Sequence, residues 1–330
     1  MPPNEAYIKG RNLHKYNFRS KGTARLLNEK SPMRNAHKLR LIIPSFNRGC
    51  QLECLLRSLY TLCKGAERFS ICAFYRFSDE KYREGYEIVK RAFPEVEFVE
   101  QSLVRSFKEQ ILGLFGDEEF VGIIVDDMVI LEGFDTDEIP FKLLAERDDI
   151  FSISLRLDNT KTFSQASNQG AMPPFCDENN IWRWMPKLSR RYRTTRFIDR
   201  YILKSAACDW SYPCALDGTI FRGKTFREFF ESVEDFVNIP FLEKAMIKAA
   251  FTSSTYPPNM IRYPRAKAIS LAMNSVDEYH DYPSFGLDAR EFNDLFLTGE
   301  RLDYEPFRKI IFHACHIACS PFWLSKPQNV

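Results

Sequence analysis

The sequence has no apolar run approaching the roughly 18 residues that a membrane-spanning helix needs, so none is expected. Its N-terminus has no apolar segment behind the first basic residues, so no secretory signal is expected. Nine cysteines, an odd number, are scattered without any CxxC pair, which argues against a disulfide framework or a structural zinc site. Reduced thiols and a cytoplasmic location follow as the expectation. No interleaving of aromatic and basic residues of the kind that grips RNA stands out, so nucleic acid is not expected as a partner. No internal repeat is present, and no linker clearly separates two domains.

What is present is a globular composition, 45% hydrophobic and 14% aromatic, with 29 phenylalanines to fill a thick core. The net charge is only +2, but it is unevenly spread. Residues 1–40 hold ten Lys/Arg against Glu5 and Glu29, which leaves about −6 for the rest. Residues 1–37 therefore read as a basic arm, either packed on its own protein or drawn to an anionic surface.

From residue 38 the pattern alternates. Lys38 to Ile43 reads as a strand, and Gln51 to Leu62 as a helix with Leu52, Leu55, Leu56, Leu59 and Leu62 on one stripe. A strand at 69–77 follows, then a helix capped by Asp79 and ended by Pro94, a strand at 96–99 and a helix at 102–115. Further strands are expected at 121–125, 150–155 and 215–221, and helices at 224–233 and 240–250. Such alternation predicts an α/β fold with a mostly parallel sheet. Phe307 to Leu324 has an apolar helix pattern carrying His313, Cys315, His316 and Cys319, so residues 266–330 read as a C-terminal helical extension on a main α/β domain at 38–265.

The most telling segment is Val121-Gly122-Ile123-Ile124-Val125-Asp126-Asp127. An apolar run of this kind is a strand buried on both faces. Ligands of open α/β sheets sit beyond the carboxyl ends of the strands, where the two aspartates fall. Adjacent carboxylates repel unless a cation is near, and Mg²⁺ or Mn²⁺ takes one or two carboxylates plus substrate phosphates. The pair thus points to a nucleotide-diphosphate ligand, with Asp127 as metal ligand and Asp126 as ligand or neighbour; an ordinary strand-end turn is the alternative.

Leu41-Ile42-Ile43-Pro44-Ser45-Phe46-Asn47-Arg48 resembles the P-[ST]-[YF]-N-R opening of inverting, family 2-like glycosyltransferases of the GT-A fold. Asp126-Asp127 resembles their DxD site, as DD, and Asp217-Gly218-Thr219-Ile220-Phe221-Arg222 is similar to their glycine-led strand with its following Arg. The likeness spans roughly residues 38–250. It implies metal-assisted, inverting transfer of a sugar from a nucleotide-sugar donor to a glycan or glycoconjugate. Pro44, Ser45, Asn47, Arg48, Asp79, Asp126 and Gly218 would line the donor site, with Arg48 facing a phosphate or the ribose and Asp79 near the nucleobase.

One departure matters. The family's acidic x-E-D motif is missing, and the matching stretch 238–243 offers only Glu243. Asp217 and Glu243 are therefore rival bases. Some GT-A enzymes recruit a late His to the metal, which gives His313 and His316 an alternative to a core helix. Trp182 and Trp184, whose faces could stack on sugar, precede a basic stripe at Arg193, Arg196 and Arg200, suited to an anionic acceptor or membrane surface. Two other readings stay open: a non-catalytic glycan-binding or scaffold protein on a degenerate transferase fold, and a sugar nucleotidyltransferase. The latter would want a Gly- and Lys/Arg-rich loop that Pro44-Ser45-Phe46-Asn47 does not provide.

Overall fold

In a computed structural model, eight strands form a central sheet in the spatial order Glu97–Glu100, Ser70–Arg76, Leu39–Phe46, Phe120–Ile123, Thr219–Arg222, Ile150–Ser154, Asn259–Arg262 and Ile181–Arg183. The structure describes residues 38–165, 168–184, 209–212, 214–233, 236, 238–252, 256–275 and 285–324. The basic arm and the Arg193, Arg196 and Arg200 stripe lie outside them.

β1 (Leu39–Phe46) is followed by α1 (Gly49–Leu62), β2 (Ser70–Arg76), α2 (Glu80–Ala92), β3 (Glu97–Glu100), α3 (Phe107–Leu112) and β4 (Phe120–Ile123). β5 (Met128–Ile130), α4 (Ile139–Glu146), β6 (Ile150–Ser154), and the hairpin β7 (Phe163–Ser164) and β8 (Gln169–Gly170) come next. Then follow β9 (Ile181–Arg183), β10 (Thr219–Arg222), α5 (Gly223–Ser232), α6 (Ile239–Thr252), β11 (Asn259–Arg262) and β12 (Ala268–Leu271). α7 (Ala289–Leu297), α8 (Glu305–Arg308) and β13 (His316–Ile317) complete the described elements. β10 runs antiparallel to β4 and β6, and β9 antiparallel to β11; the other pairings of the large sheet are parallel. This is the mixed α/β fold with a mostly parallel sheet that the sequence predicts.

The physical reason lies in β1. Leu39, Leu41 and Ile43 face one apolar core with the α1 leucines, while Ile42 faces a second with Phe115, Phe226 and Phe230. Successive side chains point to opposite faces, so a strand covered on both sides must be apolar throughout. α2 is capped as expected, with the Asp79 carboxylate accepting from the amides of Lys81 and Tyr82. α3 is shorter than its apolar pattern suggests. The Gln110 side chain folds back onto the backbone of Ser102 and Arg105, and Ser106 caps the helix from inside the expected span.

The end of the chain departs from the sequence reading. Residues 307–324 are not one helix. α8 is a single turn, and β13 pairs in parallel with β12, which pairs antiparallel with β5. The backbone carbonyls that an α-helix would need are used elsewhere. His313 accepts from Thr162 and Phe163, Cys315 from Ser270, and Ile317 from Ala272. The small sheet β13-β12-β5 brings the C-terminal segment onto the strand that follows Asp126 and Asp127. No described helix is long and apolar enough to cross a membrane.

Candidate active site

Two acidic centres form at the edge of the sheet where β1, β2, β4 and β6 end and β10 begins. The first is built from β1 and β4. Asn47, with φ of 57°, donates through its side chain to Ser78 and accepts from the Ser78 amide, tying the turn after β1 to the turn after β2. Pro44 lies within β1, opposite Phe74. Arg48 then turns inward. Its Nη1 donates to Asp126 Oδ1 at 3.0 Å and Asp127 Oδ2 at 3.1 Å, and its Nη2 to the carbonyl of Asn274 at 2.8 Å. Arg48, expected from the sequence to face a phosphate or the ribose, is buried with its side chain turned to the acidic pair, where two carboxylates packed against apolar walls need a cation.

Behind the pair, the Tyr86 hydroxyl receives the Arg48 amide and lies 2.8 Å from the Ser45 hydroxyl, which in turn bonds Asp126. Burial pushes the Asp126 carboxyl up to about 6; Arg48 opposes the shift and Asp127 adds to it. Asp79 caps α2 and is paired with Arg290 of α7.

The second centre gathers around Asp217. Its Oδ2 lies 2.5 Å from Arg156 Nη1 and 2.7 Å from His316 Nε2, and accepts from the Ser270 hydroxyl at 3.3 Å. Burial alone would raise the Asp217 carboxyl, but Arg156 and His316 hold it below its ordinary value. Asp217 in turn lifts His316 above its own, against burial. Glu243, at the first turns of α6, accepts from the Leu216 amide at 2.6 Å. Burial, followed by the charge of Asp217, pushes Glu243 up to about 7. The two rival bases thus share one centre with opposed environments, a common arrangement where acid–base work is divided.

Gly218 joins the centres. It sits at φ of 80°, and an added Cβ would lie 2.8 Å from Met128 Cε and 3.1 Å from Arg156 Cγ. Gly218→Ala is therefore expected to destabilise the fold by about 1–3 kcal/mol, through backbone strain and a displaced Arg156. Denaturant melts check this, and an unchanged midpoint would reject it.

Trp182 and Trp184 are corrected as well. Both indoles are buried, donating to the carbonyls of Trp210 and Pro257, so their faces belong to the core and not to a sugar. Trp182 sits on the edge strand β9 and Trp184 directly after it, and both close the second core. Arg156, His316, Ser270, Tyr86 and Asn274 were not singled out as a group by sequence reasoning. Of these, only His316 carried a signal, as a late histidine.

No family model matches the chain. Among curated proteins it is similar to the bifunctional glycosyltransferase pgtA of Dictyostelium discoideum, with 27% identity over 193 residues. The match covers 56% of this chain and 24% of that protein, so the chain spans about a quarter of the relative's length. Among solved structures, S. aureus TarS 1–349 in complex with UDP-GlcNAc matches at 13% identity, covering 82% of this chain and 69% of that one, with a TM-score of 0.43. The mannosyltransferase PcManGT from Pyrobaculum calidifontis, in complex with GDP-Man and Mn²⁺, matches at 12% identity over 77% of this chain and 62% of that one, with a TM-score of 0.38. The motifs of the chain resemble those of GT-A glycosyltransferases, and the curated protein it is similar to is a bifunctional glycosyltransferase.

Proposed function

We propose that the chain transfers a glycosyl group, with inversion, from a nucleotide-sugar donor to a glycan or glycoconjugate. The observation that carries this reading is the convergence of two acidic centres at one sheet edge, one braced around Asp126 and Asp127 and the other holding a carboxyl tuned to about 7. The likeness to pgtA supports the reaction class.

A divalent cation, Mn²⁺ or Mg²⁺, fits the first centre on one feature. Asp127 Oδ1 is buried and has no hydrogen-bond partner, so it is an oxygen that a cation would satisfy. Among the described residues no cluster of three or more His, Cys, Asp or Glu could hold a metal by itself, which suits an ion that Asp127 would share with substrate phosphates. When bound, such an ion supplies charge neutralisation for the departing diphosphate.

The chain's own residues divide the remaining work. Asp217, kept ionised by Arg156 and His316, is a fixed negative charge and a poor proton acceptor at neutral pH. Glu243 is the better base, since a proton acceptor works best with a pKa near the working pH. Leu216 and Tyr212 orient it. The Arg193, Arg196 and Arg200 stripe is assigned, within the same proposal, to an anionic acceptor or membrane surface. Eight free cysteines among the described residues accord with a cytoplasmic location.

Calorimetry with UDP, GDP and CMP, with and without Mn²⁺, tests the reading, together with hydrolysis of a panel of nucleotide-sugars. Mn²⁺-dependent binding of one nucleoside diphosphate and slow hydrolysis of its sugar are expected. No binding of any nucleotide in either condition would reject it.

A further inference from the structure

Among the described residues, Arg262 is a buried cation with no carboxylate among its hydrogen-bond partners. It ends β11, which runs in the same direction as β6, β4 and β1, so it stands at the sheet edge that also carries Asp126 and Asp127. The residue is 4% exposed, and an arginine is almost never buried so far unless it is paired. Nη1 is anchored on the Tyr263 carbonyl at 3.2 Å, and the guanidinium carbon lies 5.9 Å from the centre of the Trp210 ring. Nε donates to the Cys176 sulfur at 3.2 Å and Nη2 to Asn159 Oδ1 at 2.7 Å. Nε and Nη2 form the edge of a guanidinium whose parallel N–H bonds fit the two oxygens of a carboxylate or phosphate. Here a thiol and an amide cover that edge, and both belong to residues that reach the surface: Asn159 is exposed and Cys176 half-buried. The acids of the same loops are engaged elsewhere. Asp158 accepts from the amides of Thr160 and Ala266 and pairs with the buried Lys161 at 3.2 Å. Asp177 accepts from the amides of Asn179 and Ile181. Lys161, Asp158 and Arg262 together therefore leave one buried positive charge.

We propose that the Nε–Nη2 edge of Arg262 is an anion subsite for the acceptor, taking a phosphate or carboxylate group in place of Cys176 and Asn159. Its assignment to the acceptor rests on the transferase reading given above. Neighbouring strands of a sheet lie about 4.8 Å apart. In the order β4-β10-β6-β11, Arg262 is three strands from the end of β4 with its acidic pair, about 14 Å, and two from Asp217 before β10, about 10 Å. An oxyanion on Arg262 is thus separated from the acidic pair by the Asp217 centre, and belongs to the acceptor and not to the donor diphosphate. It also lies away from the hydroxyl that reacts, so Arg262 is a binding residue that selects acceptors carrying an oxyanion. The cover can yield at small cost, because the segment bearing Cys176 holds Met172 and Phe175 almost fully exposed and so has little packing to lose.

The test reads Cys176 itself. Wild-type protein is treated with iodoacetamide in phosphate, in acetate and in chloride at equal ionic strength, and alkylation of each cysteine is followed by peptide mass spectrometry. An oxyanion on Nε takes the guanidinium from the sulfur and sets a negative charge beside it, which disfavours the reactive thiolate. Phosphate or acetate is expected to slow Cys176 saturably, by at least about threefold against chloride. The anion that does so at the lower concentration identifies the source of the oxyanion. Cys319, which feels the charge of Asp127, reports an anion at the donor centre instead. In Arg262→Gln the protection of Cys176 should vanish, and Arg262→Lys, which keeps the charge but not the fork, should need more of the anion for it. Equal alkylation of Cys176 in each salt would overturn the subsite, and so would protection of Cys319 without Cys176. A folded Arg262→Gln protein that still shows the protection would overturn it as well. If Arg262→Gln does not fold, the wild-type comparison decides. Binding of UDP and GDP to the wild type, with Mn²⁺, is measured alongside. If no nucleotide binds while an oxyanion protects Cys176, the subsite stands and its assignment to an acceptor falls with the transferase reading. If a nucleotide binds and neither oxyanion protects Cys176, the subsite alone falls.

Discussion

Asp127→Ala is expected to remove the Mn²⁺-dependent part of nucleotide binding while leaving a folded protein. Asp127 is the more accessible of the pair, with 19% of its side chain exposed against 4% for Asp126. Its loss relieves repulsion on Asp126, and Arg48 keeps Asp126 and the Asn274 carbonyl as partners. Stability should therefore change little, by about 1 kcal/mol or less, as for changes outside the packed core. The binding loss should be large. Perturbing only the groups that orient a metal ligand costs about 10–100-fold in affinity, so deleting a ligand should cost at least about a hundredfold. Asp126→Ala should behave in the opposite way. It strands a buried guanidinium and an inward-facing Ser45, and breaking such a buried pair costs about 3–5 kcal/mol. Calorimetry in Mn²⁺ and thermal melts separate the two. Unchanged nucleotide affinity in Asp127→Ala would remove Asp127 from the donor site.

The contrast between the two aspartates shows what the sequence conveys and what it withholds. An apolar run ending in two carboxylates places both at a strand end, because the sheet needs residues buried on both faces up to that point. It does not say which carboxylate turns inward. That depends on Arg48, 78 residues upstream of Asp126, and on Asn274, 226 residues downstream of Arg48. The second centre has the same character. Asp217 and Gly218 are legible because a glycine-led strand is a local feature, with a positive φ that glycine meets most easily. Glu243 is legible as the acidic residue in the expected stretch. Arg156 is not, and His316 is legible only as a late histidine, since their place beside Asp217 arises from strand pairing. In the small sheet Ser270 lies opposite both Met128 and His316. Apolar residues at helical spacing in 307–324 suggested a helix, but these amides and carbonyls are used by neighbouring segments. Periodicity reports which residues are buried, and for a short segment it does not report which partner satisfies the backbone. Trp182 and Trp184 make the same point from the other side, because an edge strand and a sugar platform both call for large flat side chains.

Glu243→Gln is expected to lower turnover by about 10²–10⁴-fold, the usual contribution of a general base, while donor binding stays near wild type. The substitution keeps an oxygen for the Leu216 amide, so the helix start remains anchored. Unfolding is not the expected cause. Burial and Asp217 raise the Glu243 carboxyl from its ordinary range to about 7. A raised acid binds its proton more tightly in the folded state, so its ionisation weakens the fold as pH rises through that value. A neutral glutamine avoids this cost at pH 8, and the variant should melt no lower than wild type there. The wild-type profile of kcat/KM should climb through about pH 7 as the carboxylate forms, and Glu243→Gln should lose that limb. Asp217→Asn then discriminates between the rivals. If Glu243 is the base, removing the Asp217 charge leaves Arg156 and His316 facing Glu243, both effects favour its ionised form, and the rising limb moves to lower pH with activity retained. If Asp217 is the base, Asp217→Asn abolishes turnover and Glu243→Gln leaves the limb in place. Near-normal rates in both variants would exclude both residues and move the search for the proton acceptor outside this centre.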